Sequence, residues 1–579
     1  MLFAVALQKS NRTPALVILQ DFKYRCIYSI LYLLDSINMK NHKIFKGMRH
    51  HNILNKIGIG AIAFLSLIFG GSNFSAIAQS EAINDRTEIS VIDFGAVGDN
   101  KTLNTKAIQD AIDACHASGG GRVVIPRGIF VTGTIRLKSH VTLQIDAGSI
   151  LTGSIDLEDY PTDGSKGLDG TGSLIYAEQA ENINIEGFGI IDGSNRPVGV
   201  IPYLFPRQQY ATTFPKRRPM LIRMRNCTNI RITDVTLKNP AFFTTFFVGC
   251  SDIMIDRVNI RSYDSDNGDG LGFNSCERVR ISNCDLICGD DAIALKTDQP
   301  NKPNRDFVIS NCIISSDWAA VRLGPESFSD MQNIAVSNCV FRNCRDGFKI
   351  QSCEGAVIEN VVISNIVMDN VLRPFFVTLN AFSMSKYAPA DRPKVGDFVG
   401  ELKDLHVYNI RAVVPLSSTG KGINQPCVAL VGMPGHLIEN VTFNNFHLTM
   451  PGGGTPEQAS RNNIPELLSE KRYPEADHFE GELPASAIYL RHLRGVQFTQ
   501  CRLETASPDA RAFVAGNDLV DVSLNSVTGV GFETAPGLIK FADARGVSLH
   551  NCRVKIKGQL SHSGINQEQF VTDRPLIVE

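Results

Sequence analysis

Residues 277–284 read ERVRISNC, a polar turn that leads into alternating apolar and polar positions and ends in Ser-Asn-Cys. The closing phrase Ile/Val-Ser-Asn-Cys ends at Cys284 and recurs at Cys312 and Cys339, at intervals of 28 and 27 residues. Alternation with a period of two is typical of a strand that buries one face. A strand pattern repeated at a nearly fixed interval predicts a solenoid in which each coil stacks on the next.

The same turn-and-strand pattern recurs along most of the chain, with about 23 to 29 residues between neighbouring copies. Further copies begin at Thr228, Ser251, Gln332, Arg494 and Arg545. A leucine-rich repeat would place helices and a fixed Leu framework between the strands, and propeller blades need about 40 residues or more. We therefore predict an all-β fold, a right-handed parallel β-helix, whose handedness follows general topological preference.

Asparagines recur at the turns of this pattern. Asn tolerates the left-handed backbone that such turns need, and stacked amides can hydrogen-bond along a ladder. The residues concerned are Asn283, Asn311, Asn338 and Asn551.

The two ends of the solenoid differ from its middle. Residues 105–117 place Ala and Ile at helical spacing and are followed by three glycines, which predicts an N-terminal helix that caps the coil stack. Two stretches in the C-terminal half, 379–400 and about 450–485, are rich in Pro, Gly and charge and are too long for ordinary turns. Long insertions on a solenoid are usually on its binding face.

The first 80 residues carry an export signal. A basic stretch from Met39 to Lys56 precedes an apolar run from Ile57 to Phe69, and Ala76-Ile77-Ala78 follows. This order is that of a secretory signal peptide, and an apolar run of about 13 to 15 residues is short for a membrane span. We predict a signal peptide over 39–78, cleavage after Ala78, and a single β-helix catalytic domain over 88–579. Residues 1–38 are then an over-extended start or a disordered N-terminus.

Composition limits the classes of partner. The 579 residues carry a formal net charge of −2 and include 14 cysteines. A near-neutral chain argues against broad nucleic-acid binding. Because the cysteines recur at equivalent repeat positions, we expect buried free thiols that stack on one another, and no CxxC spacing indicates metal.

Two acidic clusters lie one repeat apart, residues 267–269 (NGD) and 289–291 (GDD). Equivalent positions of successive coils stack, so Asp269, Asp290 and Asp291 should converge on one patch. Three clustered carboxyls are costly to ionise together, and this separates their pKa values into acid and base roles. The alternative for such aspartates in a β-solenoid is calcium binding or turn capping.

These motifs, with others in a fixed order, resemble glycoside hydrolase family 28, the polygalacturonases and rhamnogalacturonan hydrolases. The resemblance rests on residues 91–99 (VIDFGAVGD), 107–126, 187–193 (GFGIIDG), 239–243 (NPAFF), 267–270 and 289–296. It covers residues 88–365 closely and the remainder more loosely.

The resemblance implies inverting hydrolysis. Asp290 would be the general acid, and Asp269 and Asp291 would hold and activate the water, with carboxyl groups about 6.5–9.5 Å apart. Asn267 and Lys296 of the same motifs would contact substrate. Because a straight strand points neighbouring residues to opposite faces, Asp290 and Asp291 must lie at a bend.

Two departures from the family pattern concern substrate binding. The family's Gly-His-Gly falls in residues 318–324 (WAAVRLG), with Ala319 at the histidine position. Its Arg-Ile-Lys clamp for the substrate carboxylate falls at Lys349-Ile350-Gln351. Either activity is lost or the subsite holds another sugar. Arg322 and Glu326 are candidate substitute contacts, with a surface ion pair as the alternative.

A second cluster lies at the end of the second insertion and just after it, residues 473–479 (YPEADHF) and 490–492 (LRH). It resembles a stretch of long bacterial family members. Arg491 and His492 are candidates for binding a carboxylate or replacing the missing histidine, and a structural role is the alternative.

The sequence therefore predicts an exported hydrolase of pectin-like acidic polysaccharide or oligosaccharide. We expect no cofactor, no metal, no membrane insertion after signal cleavage, and a monomer. A non-catalytic carbohydrate-binding β-helix and a polysaccharide lyase are the alternatives.

Overall fold

The computed structural model describes residues 87–162, 172–195, 218–265, 267–381, 399–416, 427–467, 474–557 and 571–572. The predicted signal peptide and residues 1–38 lie outside these ranges, as do Tyr473 and most of the first insertion. No helix among the described residues is long and apolar enough to cross a membrane.

Thirty-six described strands form one continuous parallel assembly, in which each strand pairs with the equivalent strand of the neighbouring coil. This confirms the predicted parallel β-helix. The first ten strands are β1 Thr87–Ser90, β2 Asp99–Leu103, β3 Gly121–Ile125, β4 Gly128–Thr132, β5 Ile135–Arg136, β6 Val141–Ile145, β7 Ser149–Gly153, β8 Ser173–Glu178, β9 Glu181–Glu186 and β10 Ile190–Asp192.

The middle coils carry β11 Met220–Arg225, β12 Thr228–Thr233, β13 Thr236–Lys238, β14 Thr245–Val248, β15 Ser251–Asp256, β16 Asn259–Ser262, β17 Leu271–Asn274, β18 Glu277–Ser282, β19 Asp285–Cys288, β20 Ile293–Thr297, β21 Asn304–Ser310, β22 Ile313–Ser327, β23 Met331–Ser337, β24 Val340–Ser352 and β25 Val357–Leu379.

The last coils carry β26 Glu401–Val413, β27 Val428–Val431, β28 Ile438–Met450, β29 Ala485–Thr499, β30 Arg502–Thr505, β31 Ala512–Asn525, β32 Thr528–Gly531, β33 Ile539–Phe541, β34 Ala544–His550, β35 Arg553–Ile556 and β36 Val571–Thr572. Two α-helices are described, α1 Thr105–Ala117 and α2 Pro456–Ser460, with short 3-10 helices at Val91–Phe94, Leu157–Asp159 and Ala476–Phe479.

The repeated strand phrases stack in register. Ile281 of β18 pairs with Ile255 of β15 on one side and with Ile309 of β21 on the other. All three side chains are buried. Alternate residues of each strand therefore form apolar columns that run through the coils, and these columns make the core.

The predicted asparagine turns are present. Asn283, Asn311, Asn338 and Asn551 all have φ between 52° and 57°, in the left-handed region that Asn tolerates. The amide of Asn311 donates to Asn283 Oδ1 at 3.4 Å, so these turns also bond along the stack as expected.

The helix predicted over 105–117 has those bounds, and one face of α1 is buried against the first coils through Ile108, Ala111, Ile112 and Cys115. That it caps the stack remains a prediction. The 13 described cysteines are all buried and none of them forms a disulfide, in agreement with the expectation of buried thiols.

The second insertion folds back onto the outer face of the sheet. Outward positions of successive coils form one column, in which Lys349 of β24 is followed by Phe376, Ala429, Tyr489 and Ala515. The last four pack in an apolar cluster separate from the core, together with the insertion residues Ile464, Leu467, Ala476, Phe479 and Leu483. The sheet face is therefore covered from the coil after Lys349 onward.

Candidate active site

The three predicted aspartates lie on two stacked connections. Asp269 lies between β16 and β17, and Asp290 and Asp291 lie between β19 and β20. Because β16 pairs with β19 and β17 pairs with β20, the two connections are neighbours along the stack. A Cβ on Gly289 would lie 2.5 Å from the Tyr263 carbonyl oxygen, so the close approach requires glycine there.

Asp290 lies in the bend that the sequence requires, outside either flanking strand. Asn267 Nδ2 donates to its Oδ2 at 3.3 Å, and the Asp291 amide donates to its Oδ1 at 2.9 Å. Ser316 Oγ donates to the Asp290 carbonyl oxygen at 2.6 Å and fixes the backbone. Burial and then the negative charge of Asp291 raise the pKa of Asp290 to about 6.

Asp291 is fully buried and faces cations. Arg322 Nη1 lies 2.7 Å from Asp291 Oδ2, and the Ala319 amide donates to Oδ1 at 3.2 Å. Burial alone would raise the pKa of Asp291. The charges of Arg322, Lys296 and Lys349 outweigh it, and the pKa is lowered. Asp291 is therefore the one of the three whose pKa is lowered, and it is ionised at pH values where Asp290 still holds its proton.

At Asp269 the effects that raise the pKa outweigh those that lower it. Asp269 is buried, and its pKa is raised well above the usual value by burial and by the charge of Asp290. Lys296 Nζ is 3.9 Å from Asp269 Oδ2. Burial alone would lower the pKa of Lys296, but the neighbouring acids, Asp269 first, outweigh burial and the pKa is raised. The site thus combines an ionised carboxylate with two carboxyls that hold protons more tightly, which is the separation into acid and base that clustering predicts.

Of the predicted substitute contacts Arg322 and Glu326, Arg322 lies directly beside Asp291. Arg322 is 4% exposed, and its Nε donates to the Gly324 carbonyl oxygen at 2.9 Å. A surface ion pair is therefore excluded for Arg322, which pairs with Asp291 instead. Glu326 is half-buried, and its charge acts on Lys296.

Lys349 and Gln351, the predicted clamp residues, are fully buried, and their contact with substrate remains a prediction. The Lys349 ammonium pairs with Glu475 of the second insertion. Burial lowers the pKa of Lys349 to about 8. Gln351 Nε2 donates to the Pro474 carbonyl oxygen at 2.8 Å. Both side chains hold the insertion against the coil that follows the site.

Arg491 and His492 also bind the insertion, which supports the structural alternative for this pair. Arg491 Nη1 donates to the Ile464 carbonyl oxygen at 2.7 Å and the guanidinium pairs with Glu466. His492 lies between two carboxylates, with Nδ1 2.7 Å from Asp518 and Nε2 3.1 Å from Glu466. Neither residue contacts the three aspartates through any of these bonds.

Sequence reasoning missed a buried charge cluster beside the site. Arg345, Asp346 and Arg373 are almost fully buried, with Arg345 Nε 3.0 Å and Arg373 Nε 2.5 Å from the Asp346 carboxylate. Glu475 completes it, 3.5 Å from Arg345 and 3.4 Å from Arg373. Together with Lys349, which also pairs with Glu475, the cluster has three cations and two carboxylates and therefore one formal positive charge. The one sequence signal was the group of charged residues Arg345, Asp346 and Lys349 within β24.

Trp318 also lies at the site. The Arg345 guanidinium carbon is 3.5 Å from the centroid of its ring. No group of three or more His, Cys, Asp or Glu side chains in the described part of the chain is arranged to hold a metal ion.

Sequence comparison relates this chain to a family of known proteins. The sequence profile of the family described as "Glycosyl hydrolases family 28" matches residues 115–469. A probable polygalacturonase of Vitis vinifera is 30% identical over 45% of this chain and 56% of its own length. An exo-poly-alpha-D-galacturonosidase of Dickeya chrysanthemi is 28% identical over 46% of this chain and 52% of its own. The chain thus spans about half the length of these two relatives.

Solved structures agree in fold. The family 28 exopolygalacturonase of Yersinia enterocolitica superposes with a TM-score of 0.53, at 23% identity, over 82% of this chain and 79% of that one. The exopolygalacturonase of Thermotoga maritima gives 0.50 at 21% identity, over 63% and 87%. At these identities the likeness concerns the right-handed β-helix alone. Because the family description covers more than half of the residues, this chain belongs to glycosyl hydrolases family 28.

Proposed function

We propose that the protein is an exported glycoside hydrolase that cleaves pectin-like galacturonan or rhamnogalacturonan, as polysaccharide or oligosaccharide, with inversion of configuration. One observation carries the proposal: Asp290, whose pKa is raised to about 6, adjoins Asp291, which Arg322 keeps ionised. A neutral carboxyl beside a carboxylate is the pair that inverting hydrolysis requires.

Each aspartate then has one task. Asp290 gives its proton to the glycosidic oxygen, which leaves with the departing sugar. A water molecule attacks the anomeric carbon from the opposite side, and Asp291 accepts its proton while Asp269 orients it. Lys296 lies 3.9 Å from the Asp269 carboxyl group and Arg322 lies 2.7 Å from the Asp291 carboxylate, so both cations offset negative charge that develops at the site.

The buried charge cluster favours a changed sugar preference. In the family pattern a cationic clamp at this position binds the carboxylate of galacturonate. Here the remaining cation, Lys349, is fully buried and already paired with Glu475. A sugar without a carboxylate next to the cleaved bond fits this arrangement, and so favours the rhamnogalacturonan branch over homogalacturonan.

The second insertion favours action on chain ends or on short oligosaccharides. It covers the outer sheet face from the coil after Lys349, so a polysaccharide cannot continue along the sheet in that direction. Several relatives carry names that agree, among them the exo-poly-alpha-D-galacturonosidase of Dickeya chrysanthemi and an exopolygalacturonase of Zea mays. The basic and apolar segments over 39–78 support export.

A screen of purified protein against defined substrates tests the proposal. Polygalacturonate and rhamnogalacturonan are each incubated with wild-type protein and with Asp290→Asn, and proton NMR follows the anomer released first. Inverted product from the wild type and a loss of at least about 100-fold in Asp290→Asn are expected. Retained configuration contradicts the mechanism. Unsaturated, ultraviolet-absorbing product indicates a lyase, and binding without release of reducing sugar indicates a carbohydrate-binding module.

A further inference from the structure

Trp318 is the only tryptophan among the 579 residues, and its backbone is tied to two of the three aspartates. Its amide donates to Ser316 Oγ at 3.0 Å, and the same hydroxyl donates to the Asp290 carbonyl oxygen at 2.6 Å. The next residue, Ala319, donates its amide to Asp291 Oδ1. The position of Trp318 relative to the reacting groups is therefore fixed by three hydrogen bonds.

The ring of Trp318 is held, yet it is not part of a core. The Arg345 guanidinium lies 3.5 Å from the ring centroid, and Arg345 is in turn anchored by Asp346 and Glu475. The ring remains half-buried, and Trp318 belongs to none of the three apolar clusters in the described part of the chain. A large aromatic surface in a polar site, with its orientation fixed from one side, is suited to binding a ligand.

We propose that Trp318 is a platform on which a pyranose ring of the substrate stacks beside the bond that is cleaved. The proposal rests on the proposed function, and it adds a substrate contact at a position where the family pattern has glycine. The C–H groups on one face of a pyranose match the negative face of the indole, and the stack excludes water from the bond that Asp290 protonates. The ring would thereby take over part of the positioning that the buried Lys349 no longer provides.

Tryptophan fluorescence tests the platform directly, because Trp318 is the only source of the signal. Asp290→Asn, which keeps Trp318, is titrated with tetragalacturonate and with a rhamnogalacturonan hexasaccharide, and binding is measured independently by calorimetry. We expect a saturable change in emission whose midpoint equals the calorimetric Kd for at least one probe. Calorimetric binding with unchanged emission overturns the proposal.

Kinetics on the substrate that the wild type hydrolyses provide the second test. We expect Trp318→Ala to raise KM about tenfold and Trp318→Phe to recover most of that loss, since a smaller ring still stacks. Phe188→Ala is the matched control, because Phe188 is 76% exposed in the turn between β9 and β10. Unchanged KM in Trp318→Ala overturns the platform. Failure of the wild type to release sugar from either probe counts against the proposed function, whereas a fluorescence change would still support the platform.

Discussion

Arg322 Nη1 lies 2.7 Å from Asp291 Oδ2, and both side chains are at most 5% exposed. The pair connects two neighbouring coils, since Arg322 of β22 is in register with Ala294 of β20. A buried carboxylate without such a partner would hold a proton at neutral pH. Among the cations around Asp291, Arg322 therefore contributes most to keeping it ionised, with smaller contributions from Lys296 and Lys349.

Arg322→Gln should shift the pH dependence of hydrolysis upward. In the wild type we expect kcat to fall as pH rises through about 6, because Asp290 loses the proton that it donates. Arg322 lowers the pKa of both Asp290 and Asp291, so its removal raises both. Both limbs of the pH–rate profile should therefore move to higher pH, and kcat should fall about 100-fold.

Arg305→Gln is the control for this substitution. Arg305 is 45% exposed and pairs with Glu277 at the surface, where an ion pair has little effect. Its profile should match that of the wild type. A loss of activity in Arg322→Gln without any shift of the limbs would contradict the role assigned to Arg322.

Asp290→Asn should stabilise the fold at alkaline pH while it removes activity. The raised pKa of Asp290 contributes stability below about pH 4, and that contribution is lost as pH rises through about 6. At about pH 8 the ionised carboxyl destabilises the wild type by about 2–3 kcal/mol relative to Asn. Urea unfolding should show this gain at about pH 8 and almost none at about pH 4.

Asp264→Asn, which changes an exposed acid nearby, is the control and should show no gain in stability at either pH. An equal gain for Asp290→Asn at both pH values would contradict the argument.

The fold was predictable because every coil repeats the same pattern of buried apolar positions. Ile255, Ile281 and Ile309 stack, and each was visible as the apolar position of a recurring phrase. The three aspartates were predictable for the same reason, since equivalent positions of neighbouring coils must be close together. The bend at Asp290 was also implied by the sequence, because a straight strand would separate Asp290 from Asp291.

The surroundings of the aspartates depend on contacts that no repeat encodes. Glu475 reaches Lys349 across 126 positions of sequence, and its approach depends on how the insertion folds over Phe376 and Tyr489. The sequence therefore identifies Lys349 as a candidate substrate contact but does not show its buried pairing with Glu475. The sequence leaves the role of Arg491 and His492 open for the same reason, because their partner Glu466 lies on the insertion.

The Lys349–Glu475 pair should show strong coupling in a double-mutant cycle. Glu475→Gln removes a buried carboxylate that pairs with Arg345, Lys349 and Arg373, and we expect a loss of about 3–5 kcal/mol in the free energy of unfolding. Lys349→Met alone should cost a similar amount. The double variant should be more stable than the sum of the two losses predicts, because it removes both charges.

Chemical denaturation at neutral pH measures this cycle. Lys403 and Glu401 provide the control pair, since they form an ion pair at the surface with side chains 35% and 62% exposed. Their coupling should stay below about 1 kcal/mol. Additive losses in the Lys349 and Glu475 variants would show that Glu475 holds the insertion through its other contacts alone.

Asn365 should be required for its backbone conformation as well as for its side chain. It belongs to a ladder of asparagine side chains, in which each Nδ2 donates to the Oδ1 of the asparagine in the preceding coil. The distance is 3.0 Å from Asn365 to Asn338 and 3.0 Å from Asn409 to Asn365. Its φ is 56°, which costs an ordinary residue about 1–2 kcal/mol and costs Gly little. Asn365→Ala loses the side-chain hydrogen bonds and also the tolerance for a left-handed backbone, whereas Asn365→Gly loses only the hydrogen bonds. Urea unfolding should therefore rank the wild type above Gly and Gly above Ala, with about 1 kcal/mol between the two variants. Equal stability of the two variants would mean that the turn relaxes out of the left-handed region when the amide is removed, and the ladder rather than the backbone preference would then set this corner of the coil.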